Sequence, residues 1–234
     1  MIRINELTKV FRNNDIETRA LNNINLDIIE GEFIAIMGPS GCGKSTLLNI
    51  LGLLDFPTNG NYFLLGQNVT KLSEKHRILI RKNNIGFIFQ SFNLIDELTV
   101  YENIELPLLY LRIPFKIRKF KVEDILDKMN LTNKKKFFPQ QLSGGQQQMV
   151  AVSRAIITQP KLLLADEPTG NLDSTNGMEI IKTLQKLNNE GTTIIMVTHA
   201  VVEAEKAHRV IQILDGQILL EKIKRKNIKE IILK

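Results

Sequence analysis

The chain has 234 residues, 43% of them hydrophobic and 24% charged, and a formal net charge of +6 from 31 basic and 25 acidic side chains. Those fractions belong to an ordinary globular protein of one or two compact domains, and they exclude wholesale disorder. One cysteine, Cys42, cannot close an intramolecular disulfide, which fits a reducing compartment. The N-terminus turns polar within four residues, so it lacks the layout of a signal peptide. No apolar run approaches the roughly 20 residues needed to cross a bilayer. The nearest, 104–115, is short and carries Pro107, Arg112 and Pro114. The expectation is a chain neither secreted nor membrane-spanning by itself. The charge is uneven: 221–234 nets +4 and 116–136 nets +5. Such patches either touch nucleic acid or anionic lipid, or are simply solvated helix faces.

In chain order, Ile2, Ile4, Leu7 and Val10, then Ile24, Leu26 and Ile28, alternate as in strands of an antiparallel sheet, with a turn at Glu30-Gly31. Residues 33–37 are a continuous apolar run, typical of a strand buried on both faces. A glycine-rich loop, 38–43, follows. From Lys44 the apolar residues Leu47, Leu48, Ile50, Leu51 and Leu54 fall at helical spacing, and Pro57, Asn59 and Gly60 end that helix. Strands are predicted at 62–65 and 85–90 around a polar helix at 73–82. Thr99 with Glu102 reads as a capping box. Residues 99–158 read as mostly helical, with loops around Pro107, Pro114 and Pro139. Beyond them come a buried strand (161–166), a helix (174–189) and strands at 193–198 and 209–214. Asp215-Gly216 then reads as a hairpin turn before 217–220. Strands alternating with helices predict a mainly parallel sheet. The helical block interrupts that alternation as an inserted subdomain, and the early strands form a third layer.

Residues 38–45, Gly-Pro-Ser-Gly-Cys-Gly-Lys-Ser, match G-x-x-x-x-G-K-[ST], with Thr46 next. Glycines let backbone N–H groups converge on phosphate oxygens without obstruction. In that reading Lys44 reaches the β- and γ-phosphates and Ser45 ligates Mg²⁺. Cys42 inside the loop reads as a small filler, the alternative being a reactive thiol. Asp166 and Glu167 end a buried apolar strand. One carboxylate can hold the metal opposite Ser45 while the next polarises water: Asp166 is assigned to the metal and Glu167 to the general base. The bland reading is an acidic turn. Ser143-Gly144-Gly145-Gln146 opens a helix with its N-terminus uncovered by side chains, which is an anion site in its own right; alone, the same residues are an ordinary N-cap.

These motifs, in this order, resemble the ATP-binding subunits of ABC transporters. They are GPSGCGKS at 38–45, Gln90 after IGFIF, LSGGQQQ at 142–148, LLLADEP at 162–168, Asn171-Leu172-Asp173, and His199 after IIMVT. The resemblance runs from about Ile2 to Glu221. LLNILGLLDFPTNG, FQSFNL, YENIELPLLY and DEPTGNLD are similar to the macrolide-export and lipoprotein-release branch. It implies an α/β P-loop NTPase fold with a mainly parallel core sheet. It also implies one ATP-binding domain: a RecA-like core with an antiparallel β subdomain (1–90 and 159–221), a helical signature subdomain (91–158) and a basic tail (222–234). Two copies are implied to face head to tail around two Mg-ATP, each nucleotide held between one phosphate loop (Gly38, Pro39, Ser40, Gly41, Cys42, Gly43, Lys44, Ser45, Thr46) and the other copy's Ser143, Gly144, Gly145 and Gln146. Gln90 would sense Mg²⁺ or water, His199 would hold the γ-phosphate, Asp173 would cross the interface, and Phe11 would stack on adenine or else pack in the core. His76 and His208 match nothing functional and read as surface or packing residues.

Met149 stands where that family usually has Arg, Ala200 where Asp is common and Asp96 where Pro is frequent. The resemblance implies an ATPase driving a separate transmembrane permease, for export or membrane extraction, at the cytoplasmic face of the membrane with no nucleic acid bound. The competing reading is a non-transport regulator of a membrane-bound partner, such as a cell-division or cell-wall hydrolase complex.

Overall fold

The computed structural model describes residues 1–13 and 16–223. Most of the basic tail therefore lies outside the described residues. Two sheets and seven α-helices are seen among them. The larger sheet contains β3 (Phe33–Met37), β6 (Ile85–Phe89), β7 (Leu162–Asp166), β8 (Thr193–Val197), β9 (Arg209–Leu214) and β10 (Gln217–Ile223), in the order β10-β9-β3-β8-β7-β6. Only the β9–β10 hairpin is antiparallel; β9, β3, β8, β7 and β6 run parallel.

The central strands are apolar throughout because both faces are covered. Phe33, Ala35, Leu163, Ala165, Ile194 and Met196 face one core. Ile34, Ile36, Leu162, Leu164, Ile195 and Val197 face the other. The first core is closed by α3 (Val100–Tyr110), α4 (Phe115–Lys128), α5 (Gly144–Ile156) and α6 (Ser174–Asn189). The second is closed by α1 (Lys44–Leu51) and the smaller antiparallel sheet. That sheet is ordered β2-β1-β4-β5, from β1 (Ile2–Asn13), β2 (Ile16–Ile28), β4 (Asn59–Leu64) and β5 (Gln67–Asn68). It is the expected third layer. The remaining helices are α2 (Glu74–Asn84) and the short α7 (Val201–Ala204).

The structure departs from the sequence-based expectation in places. Pro107 lies inside α3 and makes no loop. It lacks the N–H that would bond residue 103, yet Val100, Ile104 and Leu108 are almost fully buried on the same helix, and tertiary burial overrides the local penalty. α1 stops at Leu51, because Gly52 closes it. Asn59 and Gly60 open β4 instead of ending a helix. The strand β5 and the helix α7 were not predicted; two to four residues are too short to show a period. The capping box is present: Thr99 Oγ1 accepts from Glu102 N–H, and Glu102 Oε2 accepts from Thr99 N–H at 2.8 Å.

Gly52 marks a close approach of α1 to β6. A Cβ there would lie 2.0 Å from Phe87 Cζ, and Phe87 is stacked on Phe89 with ring centroids 5.6 Å apart. Gly177 in α6 is the contrast, since its Cβ would make an ordinary 3.5 Å contact with Thr169. Urea denaturation should show Gly52→Ala losing about 1–3 kcal/mol through overpacking. Gly177→Ala should gain about 0.5–1 kcal/mol from helix propensity.

Candidate functional site

Parallel pairing sends the carboxyl ends of β3, β6, β7 and β8 to one edge of the sheet. The ends of these strands and the segments that follow them hold the phosphate loop, Gln90, Asp166-Glu167 and His199. This is where open parallel sheets bind ligands.

The loop after β3 is wedged tightly. A Cβ on Gly43 would lie 2.3 Å from Ala20 O, and φ there is +103°. A Cβ on Gly38 would lie 2.2 Å from Ile213 O. Gly216 N–H, in the β9–β10 turn, donates to Cys42 O at 3.1 Å. The loop is thus gripped by β2 on one side and the β9–β10 hairpin on the other. Gly43 leaves the N-terminus of α1 without a side-chain cap, so its first N–H groups remain available to an anion. Lys44 is buried and donates to Gly38 O at 2.9 Å and Pro39 O at 2.8 Å. Cys42 is buried, 5% exposed, as a small filler would be. Ser40 and Ser45 are exposed and Thr46 is half-buried.

Ser45 Oγ donates to Asp166 Oδ1 at 3.5 Å. Burial pushes the Asp166 carboxyl above the ordinary carboxylate range; Ser45 and Lys44 oppose that and Glu167 adds to it. Glu167 takes a left-handed φ of +45°, uncommon for a residue with a side chain. Its N–H still donates to Val197 O at 3.0 Å. Its Oε1 meets His199 Nε2 at 3.1 Å. Glu167 and His199 are therefore brought together next to Asp166 and Ser45.

Gln90 is turned toward the segment after β7. Its Nε2 donates to Asn171 Oδ1 at 3.4 Å, and Asn171 Nδ2 returns a bond to Gln90 O at 3.0 Å. Gly170 makes room for it: a Cβ there would lie 2.6 Å from Gln90 Nε2. No described hydrogen bond joins Gln90 to Ser45 or Asp166.

Ser143 is the N-cap of α5, paired reciprocally with Gln146. Gly145 lets α5 approach Asn176, since a Cβ would fall 2.4 Å from Asn176 Oδ1. Asp173 caps α6 by accepting from Thr175 and Asn176 N–H, both at 3.0 Å. The Asn176 bonds hold its carboxyl below the usual range. Among the described residues, no hydrogen bond links Ser143, Gly144, Gly145 or Gln146 to the phosphate loop. The N-terminal end of α5 and the phosphate loop are thus two separate helix N-termini in the described residues.

Phe11 is 45% exposed, so it is not a core residue. The buried ammonium of Lys9 lies 4.9 Å from its ring centroid and is paired with Asp55 at 2.7 Å. His76 bonds Ser73 on the surface, and His208 Nδ1 accepts from Phe33 N–H at 3.2 Å in a packing role. Met149 is 7% exposed and packs in the core of the helical block. Asp96 is exposed.

Sequence reasoning missed Gln148. It is fully buried, and its Nε2 donates to Pro168 O at 2.7 Å and to Phe89 O at 3.4 Å. It ties α5 to the residue before Gln90 and the residue after Glu167. The available signal was a lone polar side chain in phase with the buried Val152 and Ala155.

The ABC transporter family model matches residues 21–170. An uncharacterized ABC transporter ATP-binding protein of Methanocaldococcus jannaschii is 47% identical over 219 residues, covering 94% of this chain and 98% of that protein. The macrolide export ATP-binding/permease protein MacB of Brucella melitensis is 45% identical over 225 residues; the match covers 96% of this chain but 35% of MacB. Among solved structures, a dimeric post-hydrolysis ATP-binding cassette bound to ADP and Pi superposes with a TM-score of 0.89 at 41% identity, covering 96% of this chain and 99% of that one. The chain belongs to the ABC transporter family, as an ATP-binding cassette.

Proposed function

We propose that this cassette hydrolyses ATP to ADP and phosphate between two copies of itself and so drives a separate membrane permease, in export or membrane extraction. The observation that carries this reading is the pairing of Glu167 with His199 beside the phosphate loop, while among the described residues no hydrogen bond ties the N-terminal end of α5 to that loop. Each copy then holds half of each site. Support comes from the dimeric neighbour bound to ADP and Pi and from MacB, whose name joins ATP-binding and permease parts. No helix among the described residues is long and apolar enough to cross a membrane. The single-cassette boundaries 1–90 with 159–221, and 91–158, follow the same reading.

The phosphate groups lie on the loop amides and the N-terminus of α1. Lys44 exchanges its loop carbonyl partners for phosphate oxygens. Phe11, exposed and backed by Lys9, stacks on adenine. Ser45 and Asp166 are hard oxygen donors a few ångströms apart, and among the described residues no cluster of three or more His, Cys, Asp or Glu is present. That set fits Mg²⁺, which takes one or two protein oxygens and fills its remaining positions with water and phosphate. Bound there, the ion neutralises charge on the phosphates. Gln90 contributes a further amide near this ion and reports its state to the permease.

Glu167 accepts a proton from water as that oxygen bonds to the γ-phosphorus and the bridging bond to the β-phosphate breaks. His199 donates to the γ-phosphoryl group and keeps the water in line. Ser143, Gly144, Gly145 and Gln146 of the second copy present N–H groups to the same phosphate, and Asp173 lies at the join. Cleavage removes the shared γ-phosphate, and the two copies separate.

Two outcomes follow. Glu167→Gln should lower turnover roughly 10²- to 10⁴-fold, the usual worth of a general base, while Mg-ATP converts it to a stable dimer on size exclusion. A strictly monomeric variant at high concentration with saturating Mg-ATP would sink the two-copy site.

Asp166 gives the second. A carboxyl raised in the folded state binds its proton more tightly there than when unfolded. Stability therefore falls as pH rises from the ordinary carboxylate value through the raised one. Asp166→Asn should raise Tm at pH 7 without Mg²⁺ and abolish Mg-dependent turnover, both read on one preparation by calorimetry and phosphate release.

A further inference from the structure

The last backbone rung between β7 and β8 is Glu167 N–H to Val197 O, at 3.0 Å. Beyond it the two chains part. One turns back through 168–173, with Gly170 N–H on Glu167 O and Leu172 N–H on Thr169 O, both at 3.0 Å. The other enters α7. Glu167 and His199 thus meet just where the ladder no longer fixes the distance between their backbones. The His199 side chain is 46% exposed, so packing alone does not place it.

Glu203, on α7, bridges that gap. Thr169 Oγ1 donates to its Oε1 at 2.5 Å, and Thr198 Oγ1 donates to its Oε2 at 2.6 Å. These are charge-assisted lengths, the strong class of hydrogen bond. Thr169 lies two residues after Glu167, and Thr198 immediately precedes His199. Thr198 is 3% exposed, so little water competes for its hydroxyl. The direction of its proton is set as well: Ala200 N–H donates to Thr198 Oγ1 at 3.0 Å, leaving the hydroxyl hydrogen for Glu203. The bridge is anchored behind, where Glu203 and Ala204 N–H both donate to Ala200 O, at 3.2 and 3.0 Å. Thr198, Ala200 and Glu203 form a closed frame around the backbone of His199. No described hydrogen bond joins the Glu203 side chain to residues 38–45 or to Asp166 and Glu167.

We propose that Glu203 is a positioning residue for hydrolysis: its carboxylate clamps the hydroxyls of Thr169 and Thr198 and so sets the separation of Glu167 and His199. The proposal rests on the hydrolytic roles given above to that pair. It accounts for a carboxylate at this place, because two hydroxyl protons need two acceptor oxygens. Glutamine supplies one such oxygen, and aspartate is a methylene short of spanning both hydroxyls.

The test is steady-state Mg-ATP turnover of the full chain against ATP concentration. Glu203→Ala should lower kcat roughly 10- to 100-fold, the scale of a misplaced reacting group, with KM for ATP within about twofold of wild type because the phosphate loop is untouched. Thr169→Val and Thr198→Val should each give part of that loss. Glu203→Ala combined with Thr198→Val should be no worse than Glu203→Ala alone, as expected within one network. In a Glu167→Gln background, adding Glu203→Ala should leave the single-turnover rate unchanged.

An unaltered kcat in Glu203→Ala overturns the proposal. So does a rise in KM with kcat kept, or a loss that multiplies fully with that of Glu167→Gln. If circular dichroism shows Glu203→Ala unfolded, the two valine variants decide by the same criteria. The two layers of the argument fail differently. Wild-type turnover by Glu167→Gln removes the role of Glu167 whatever Glu203 does, whereas a silent Glu203→Ala removes only the clamp.

Discussion

Parallel pairing of β3, β8 and β7 is the constraint from which the site follows. It makes these three strands finish at the same edge of the sheet. The residues at or just after the ends of those strands are 38–45, 166–167 and 198–199, far apart in the chain and neighbours in space. The strands hold this arrangement because alternate side chains enter two separate cores, and neither face is left to water. Burial on that scale is the main favourable contribution to folding. It lets the segments beyond the strands carry strained or exposed groups, such as Glu167 at positive φ.

The helical block depends on that edge through few polar ties. Gln148 connects α5 to Phe89 and Pro168, and Arg154 connects it to Phe92 O at 2.9 Å and Asn93 O at 2.6 Å. Through Gln148, α5 is bonded to the residue before Gln90 and to the residue after Glu167. Met149 is buried among apolar side chains, and Arg154 carries the positive charge of this helix one turn and a half further on.

Much of this was legible in the sequence. The phosphate loop and the caps at Thr99 and Ser143 declare themselves because their chemistry is local: a few consecutive residues specify the backbone and its ligands. The long apolar runs gave β3, β7 and β8 with bounds close to those observed. Features that depend on distant partners were not legible. Pro107 is tolerated because Val100, Ile104 and Leu108 bury one side of α3, and a window around the proline does not contain that information. Gln148 finds acceptors 20 and 59 residues away, and Glu203 finds Thr169 across 34 residues. Their sequence neighbourhoods look like ordinary helix. Phe11 was ambiguous between core and ligand because strand alternation alone does not reveal which sheet face is covered.

The grip of the loop on Lys44 has a consequence for nucleotide traffic. The ammonium already has two carbonyl acceptors of its own, so in the proposed function an arriving triphosphate would swap partners for it and rescue no bare cation. The gain per encounter is reduced by the bonds given up, and departure is eased by the same amount. A self-satisfied lysine therefore tempers affinity and quickens exchange, which suits a machine that must discard its spent fuel on every cycle.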